Sequence, residues 1–436
     1  MATGAGDRYW EHKGLPSTLK HELLKRYLPL FAGKTGSTSD KRSVVYLDGY
    51  AGRGRYKEGK PGSAELILQV AEDYLQRDIS FRLFFHEIKR ENYAALKPVV
   101  DEYKARGVLA EASPDEVVKG LDKVIEAARG LPLFLFLDPC GVGIPFDELT
   151  RVLSGPRRDV WPPTEVLLNF SLDAVRRIGG LVNPAPLGEK TTVRLDTALD
   201  EDWWQGVTDD AVLENSASSD EKIMARNEKT MARLDAALEG DWWRGVIRRR
   251  GVTDDAVLEI VNGFMDRLAK ATKMHVVACP VSRAPSHKPV YFLVLGTRKP
   301  LGVWYFGDSG ARAGEVWWNT LEAREAAKEE DSGKATLFDM PHLEHQTLKE
   351  VEAEAMPVVA ENIARLADEH GSFIVGDYPV EVFGDYLGMV TEKVVRAAVR
   401  YLYANGRILD AGVGSKTSKI VVSKPAPKRL SASRPR

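Results

Sequence analysis

From residue 43 to residue 170 the chain alternates short apolar runs with segments of helical length, and no other feature constrains its fold as strongly. The apolar runs are Ser43 to Leu47, Phe81 to Glu87, Gly107 to Ala112, Leu133 to Leu137 and Glu165 to Phe170. Between them, Ala64 to Leu75, Glu91 to Ala105 and Asp115 to Ala128 carry helical periodicity. Parallel strands need long crossover connections, which helices usually supply, so the spacing predicts an α/β fold with a doubly wound, mostly parallel Rossmann-like sheet. Met274 to Val281 and Val290 to Gly296 read as two more strands, a hairpin that can finish such a sheet.

The flanks divide the rest. Leu19, Leu23, Leu24, Tyr27 and Leu28 predict an amphipathic first helix that Pro29 ends. Between 189 and 259 the sequence repeats itself. Glu189-Lys190-Thr191 and Arg194-Leu195-Asp196 return as Glu228-Lys229-Thr230 and Arg233-Leu234-Asp235. Asp202-Trp203-Trp204 returns as Asp241-Trp242-Trp243, and Val207 to Glu214 returns as Val252 to Glu259. Two copies are too few for a solenoid, so the expectation is a duplicated insertion that loops out as a mobile segment at little entropic cost. Helical patterns resume at Leu258 to Thr272 and from Glu350. Tyr378 to Tyr386, Thr391 to Tyr403 and a hairpin through Gly412 to Val422 resemble a winged helix-turn-helix, with Lys393, Arg396 and Arg400 on its recognition helix and Lys416, Lys419 and Lys424 on or near its wing. The expected organisation is a Rossmann-like domain over 1–188 and 252–310, interrupted by the insertion at 189–251. A helical connector at 311–371, a winged-helix-like module at 372–423 and a basic disordered tail at 424–436 complete it.

Composition removes several classes. With 61 Lys and Arg against 63 Asp and Glu, the chain lacks the broad basic field of a non-specific nucleic-acid or membrane binder. Its strongest apolar run, Leu131 to Leu137, falls far short of the roughly 20 residues a bilayer span needs, so a soluble cytoplasmic protein is expected. Only two cysteines, Cys140 and Cys279, are present, too few for a disulfide framework or a four-thiolate metal site. His342 and His345 lack a convincing third ligand, and no metal site is assigned.

The chemistry-bearing stretch is Val44 to Tyr56, a strand that ends in Asp48 and passes into a turn holding Gly52 and Gly54. Glycines there admit a ligand close to the backbone, and the following helix N-terminus favours an anionic group such as the methionine carboxylate of S-adenosylmethionine. Glu87, at the end of the next strand, can accept both ribose hydroxyl protons. A plain tight turn and a solvated strand-end acid are the bland alternatives. Asp138-Pro139 ends the fourth strand, where open α/β sheets gather ligands. It reads either as a site for an acceptor nitrogen or the reacting methyl, or as a turn. Asn169 and Phe170 end the fifth strand, and Arg176 and Arg177 follow as substrate-phosphate contacts or as a solvated helix face. Asp138 is the best candidate for a general base.

Asp48-x-Tyr50-Ala51-Gly52-x-Gly54 with Gly62-Ser63, Phe136-Leu137-Asp138-Pro139-x-Gly141, and Tyr291-Phe292-Leu293 before Lys299-Pro300-Leu301-Gly302 together resemble the three-Cys-motif partner protein family. The resemblance covers most of 15–310 outside the duplication. It implies a Rossmann-like class I methyltransferase fold, S-adenosylmethionine as cofactor, and a partner that carries the three-cysteine motif and is similar to radical enzymes. It adds Tyr50, Ala51 and Ser63 to the cofactor-binding residues. Two departures stand out: Cys140 where the family resembles Asp-Pro-Phe-Gly, and Ala112-Ser113 where an acid often meets the adenine.

Competing readings fit less well. Gly54 to Lys60 matches G-x-x-x-x-G-K, but Pro61 offers magnesium no hydroxyl and the first glycine lies too far from the strand. Cys140 resembles the nucleophile of cytosine C5 methyltransferases, yet no electropositive neighbour in sequence activates it, and both cysteines read more simply as buried. The alternative from another class is a non-catalytic winged-helix protein that binds nucleic acid through 391–423, or scaffolds a partner, beside a degenerate methyltransferase domain.

Overall fold

The computed structural model describes residues 7–11, 13–39, 41–139, 141–182, 219–283, 287–332 and 346–425. The first copy of the repeat, Cys140, His342, His345 and most of the basic tail lie outside these residues. The chain divides into two compact units, 1–299 and 300–436.

The first unit is built on a seven-stranded sheet of order β3-β2-β1-β4-β5-β7-β6. Its strands are β1 (Ser43–Asp48), β2 (Ser80–His86), β3 (Leu109–Ser113), β4 (Leu133–Leu137), β5 (Thr164–Ser171), β6 (His275–Ser282) and β7 (Pro289–Thr297). The first five pair in parallel, and β7 runs antiparallel between β5 and β6. β1 and β4 are buried almost throughout, because helices cover both faces of the sheet's centre. Val45, Leu47, Leu133, Leu135 and Leu137 join one apolar cluster with Val117, Leu121 and Phe264. Tyr46 stacks on Phe134, against which Tyr27 and Phe31 of the first helix also pack.

That helix, α1 (Leu15–Thr35), does not stop at Pro29. A proline costs a helix interior about 3 kcal/mol through a lost N–H bond and a ring clash. Here Leu28, Phe31 and Ala32 on either side are buried, and the Tyr74 hydroxyl donates to the Pro29 carbonyl at 2.8 Å, so packing outweighs the local preference. The crossovers are α2 (Ser63–Leu75), α3 (Arg90–Ala105), α4 (Val117–Ala127) and α5 (Phe146–Ser154), with α6 (Leu172–Gly179) after β5.

The expected mobility of 189–251 is corrected for the second copy of the repeat. Residues 219–250 form α7 (Ser219–Ala237) and α8 (Trp242–Arg250), which lead into α9 (Asp254–Thr272). Leu234, Leu238, Trp243, Val246 and Ile247 are buried in the cluster beneath the sheet. Asp235 accepts hydrogen bonds from Trp243 Nε1 at 2.8 Å and from Arg244 Nε at 3.0 Å. This copy is core, because its apolar face packs on α5, α6 and α9 in that cluster.

The second unit comprises α10 (Pro300–Ser332), α11 (Leu348–His370), β8 (Ser372–Ile374), α12 (Pro379–Phe383), α13 (Glu392–Ala404) and β9 (Val421–Ser423). The expected connector is part of this unit's core, since Trp304, Ala355, Val359 and Ile363 pack with Phe383, Val395 and Leu402. The expected hairpin through Gly412 to Val422 does not form as a ladder. Val421 to Ser423 pairs instead with Ser372 to Ile374, which precede the helices. Arg396 of the expected recognition face donates to Ser415 O and Thr417 Oγ1, both at 2.9 Å, and so braces the following loop.

Replacing Trp243 by alanine tests the role of the repeat. An indole fully enclosed and hydrogen-bonded in the core is expected to cost about 3–5 kcal/mol on removal, measured by urea denaturation. A loss below about 1 kcal/mol would mean that the segment contributes little to the core.

Candidate functional site

A doubly wound sheet opens a crevice where successive crossovers diverge, here between β1 and β4, and ligands gather outside the carboxyl ends of such strands. A cavity of about 520 Å³ lies along this edge. Its lining follows the strand order. Asp115, Glu116 and Val117 come after β3, His86, Glu87 and Ile88 at or after the end of β2, and Gly49 to Gly52 after β1. Asp138 and Pro139 come after β4, Asn169 and Ser171 at the end of β5, and Val290 and Tyr291 from β7.

Asp48 does not line the cavity but braces residues that do. Fully buried, it accepts from the Tyr50 backbone N–H at 3.0 Å and from Ser63 Oγ at 2.9 Å. Burial pushes its pKa up to about 7 against the pull of those two bonds. Tyr50, Ala51, Gly52 and Ser63 all line the cavity. Gly52 has φ +65°, and its N–H donates to Glu87 Oε2 at 2.9 Å. A Cβ there would lie 2.2 Å from the Trp10 ring, so the turn needs glycine for both conformation and space. Gly54 does not line the cavity. At φ +78° it closes the turn, its carbonyl accepting from Gly62 N–H at 2.7 Å.

Glu87 is buried, lines the cavity and accepts from Lys89 N–H at 2.8 Å in addition to Gly52. Burial raises its pKa, while those backbone donors pull it down. An acid follows Ala112-Ser113 two residues on. Asp115 lines the cavity and accepts from Ser113 Oγ at 2.7 Å.

At the other end, Asp138 is not a free base. Its Oδ2 forms an ion pair with Lys20 Nζ, and its Oδ1 accepts from Asn169 Nδ2 at 2.8 Å. Burial opposes charge on Lys20, but the Asp138 carboxylate prevails and holds the ammonium well above the usual lysine pKa. Pro139, Asn169 and Arg177 line the cavity. Phe170 does not: it is buried 5.0 Å from the Phe264 ring, because the period of two in β5 turns it to the opposite face from Asn169. Arg176 is likewise structural, donating to Asp173 Oδ1 at 3.2 Å, the Pro289 carbonyl at 3.1 Å and Asp254 Oδ1 at 3.3 Å. Cys279 is buried, which pushes its thiol up to about 12 and leaves it inert.

The sequence reading missed the N-terminal contribution. Tyr9, Trp10, Pro16, Ser17, Lys20 and His21 all line the cavity. Lys20 and His21 sit on a helix whose apolar spacing signalled only burial, and nothing local shows that Lys20 meets a residue 118 positions away. Trp10 Nε1, His21 Nδ1 and Asn169 Oδ1 are buried without a hydrogen-bond partner, three of seven such side-chain atoms among the described residues. Buried polar groups are rarely left unpaired, so this concentration marks a place where a ligand supplies the partners.

No protein-family model matches the sequence, and no curated protein matches it. Three solved structures are similar over 62% of this chain. The first, an rRNA-methylase candidate from Clostridium thermocellum, is 9% identical, with 97% of its chain covered and a TM-score of 0.26. The second is coclaurine N-methyltransferase bound to N-methylheliamine and SAH, 14% identical, 70% covered, TM-score 0.23. The third is phosphoethanolamine N-methyltransferase 2 of Haemonchus contortus in complex with S-adenosyl-L-methionine, 11% identical, 51% covered, TM-score 0.22. Scores this low carry no argument, and the fold class rests on the strand order. Five parallel strands, one reversed strand and a parallel edge strand make a mostly parallel, Rossmann-like sheet.

Asp48 and a second fully buried acid, Glu165, generate a pH prediction. Glu165 accepts from Tyr27 at 2.7 Å and Thr297 at 2.8 Å, and burial pushes it up to about 7. Both acids bind a proton more tightly folded than unfolded. Their contribution is therefore fully present below their ordinary carboxyl pKa values and is lost as pH rises to about 7. Glu165→Gln, which stays neutral, is expected to gain up to about 3 kcal/mol relative to wild type between about pH 4 and pH 8 in urea denaturation. A pH-independent difference would show that Glu165 does not titrate in this window.

Proposed function

We propose that the first unit is an S-adenosylmethionine-dependent methyltransferase. The observation that carries this reading is the cavity across the switch point, with a buried carboxylate bonded to the glycine turn at one end and an Asp-Pro step at the other. The cofactor supplies an electrophilic methyl on a sulfonium. The residues present fit it: Glu87 retains lone pairs for ribose hydroxyls, Asp115 can accept from an adenine amine, and Ile88 and Val117 offer apolar walls to a flat base. Trp10 Nε1, a donor without an acceptor beside Gly52, suits an oxygen of the amino-acid portion. Asp138-Pro139 lies toward the acceptor side, where in-line positioning is the protein's main contribution to displacement.

The resemblance to three-Cys-motif partner proteins extends this reading to a cysteine-bearing radical-enzyme-like partner, and we place both proteins in the cytoplasm. A second reading, nucleic-acid binding by the winged-helix-like unit, is favoured by Lys393, Arg400 and Tyr401, all exposed on one face of α13.

Calorimetric titration with S-adenosylmethionine and S-adenosylhomocysteine tests the cofactor assignment. Micromolar binding is expected, weakened at least about ten-fold by Glu87→Ala, with no comparable response to ATP. Glu87 is a better probe than Gly52, because any side chain at 52 collides with Trp10 and perturbs the loop itself. Failure of the folded wild type to bind either adenosyl ligand would overturn the proposal.

A further inference from the structure

The carboxylates on the acceptor side are already engaged. Asp138 is held by Lys20 and Asn169, and Asp173 by Arg176 and Arg283 at 3.2 and 3.1 Å. His21 is a poor proton acceptor, since burial and the charges of Lys13 and Lys20 hold its imidazole well below the usual pKa. The tyrosines that line this part of the cavity also direct their hydroxyls to the protein. Tyr291 donates to the Pro16 carbonyl at 2.8 Å, Tyr9 bonds Ser17 Oγ at 3.0 Å, and Tyr56 donates to Tyr9 at 3.4 Å. What they leave for a ligand is ring surface.

Asn169 differs. Asp138, ion-paired with Lys20 through Oδ2, accepts through Oδ1 from the Asn169 amide nitrogen. The amide is thereby fixed with Oδ1 as its free acceptor, and that oxygen is buried with no partner. An amide oxygen can orient an N–H or O–H but cannot take its proton at neutral pH. A hydroxyl nucleophile would need a base that this end of the cavity does not offer, whereas an amine attacks with its own lone pair.

Building on the methyltransferase reading, we infer that the methyl acceptor is an exocyclic amine on a planar heteroaromatic ring, seated against the aromatic wall with one N–H donated to Asn169 Oδ1. In the transfer, the nitrogen lone pair forms the N–C bond as the methyl C–S bond breaks and its electron pair returns to sulfur. The positively charged nitrogen then releases one proton to water. Asn169 orients the acceptor, and Lys20 is a positioning residue acting through Asp138.

The test uses the full chain saturated with S-adenosylhomocysteine. It is titrated with bases that differ only in an amine replaced by a carbonyl: cytosine against uracil and adenine against hypoxanthine, each as nucleoside and within a single strand. At least one amine-bearing member is expected to bind about ten-fold or more tightly than its carbonyl counterpart, and the nucleoside and strand arms separate a small-molecule from a nucleic-acid source. Asn169→Ala should abolish that preference while leaving S-adenosylhomocysteine affinity within about two-fold. With labelled S-adenosylmethionine, mass spectrometry should place the methyl on the amine nitrogen. Adenosyl-ligand binding without any amine preference, or a preference that survives Asn169→Ala, overturns the acceptor assignment. Loss of adenosyl-ligand binding in the wild type would overturn the cofactor reading beneath it.

Discussion

The contact on which the site depends is the buried ion pair between Lys20 and Asp138. Removing two charges from water costs several kcal/mol each, and mutual attraction repays this only where geometry is good and the remaining lone pairs are satisfied. Here Asn169 satisfies one of them, so helix α1, the end of β4 and the end of β5 are tied through one carboxylate. The pair contributes little net stability for its cost, but it holds the carboxylate that fixes Asn169 and ties the N-terminal helix to the ligand edge. Tyr9 and Trp10 then become walls of the cavity.

That arrangement explains which parts of the protein were legible in its sequence. The sheet could be read because each strand declares itself within six or seven residues: the all-apolar Leu133 to Leu137 run has no plausible exposed face. Strand-end residues could be read for the same reason, since the carboxyl edge is defined once the strands are. Gly52, Glu87, Asp138, Pro139 and Asn169 line one cavity there, together with Arg177 of α6 and with Tyr50, Ala51 and Ser63, which the family resemblance supplied. Contacts set by tertiary packing were not readable. Neither the pairing of Lys20 nor the employment of Arg176 as a clamp to Asp254 and Pro289 has a signature in local spacing. Phe170 lies away from that cavity although it adjoins Asn169 in the strand, because successive side chains point to opposite faces.

Local rules also failed where burial overrode them. Pro29 should end a helix on backbone grounds, but a helix half enclosed by the sheet has more apolar contact to lose than one hydrogen bond. Asp48 follows the same logic in polar form. A carboxyl pushed up to about 7 is an unfavourable group to enclose, yet its two acceptor atoms hold Tyr50 and Ser63, both of which line the cavity. Both are places where local preference yields to what the surrounding structure requires.

The repeat shows how tandem duplication meets a packed core. Leu195, Leu199 and Trp204 of the first copy correspond to Leu234, Leu238 and Trp243 of the second, whereas Thr192 stands where the second copy has the buried Met231. The polar residues differ as well. Where the first copy has Gln205, the second has Arg244, which pairs with Asp235 and donates to Glu228 at 2.9 Å. Asp235 also anchors Trp243 at the bottom of the cluster, and without Arg244 that carboxylate would lose its charge partner at the edge of the core. Arg244 thus gives residues 228–250 a polar network to match their apolar face, and this helical pair is part of the packed unit.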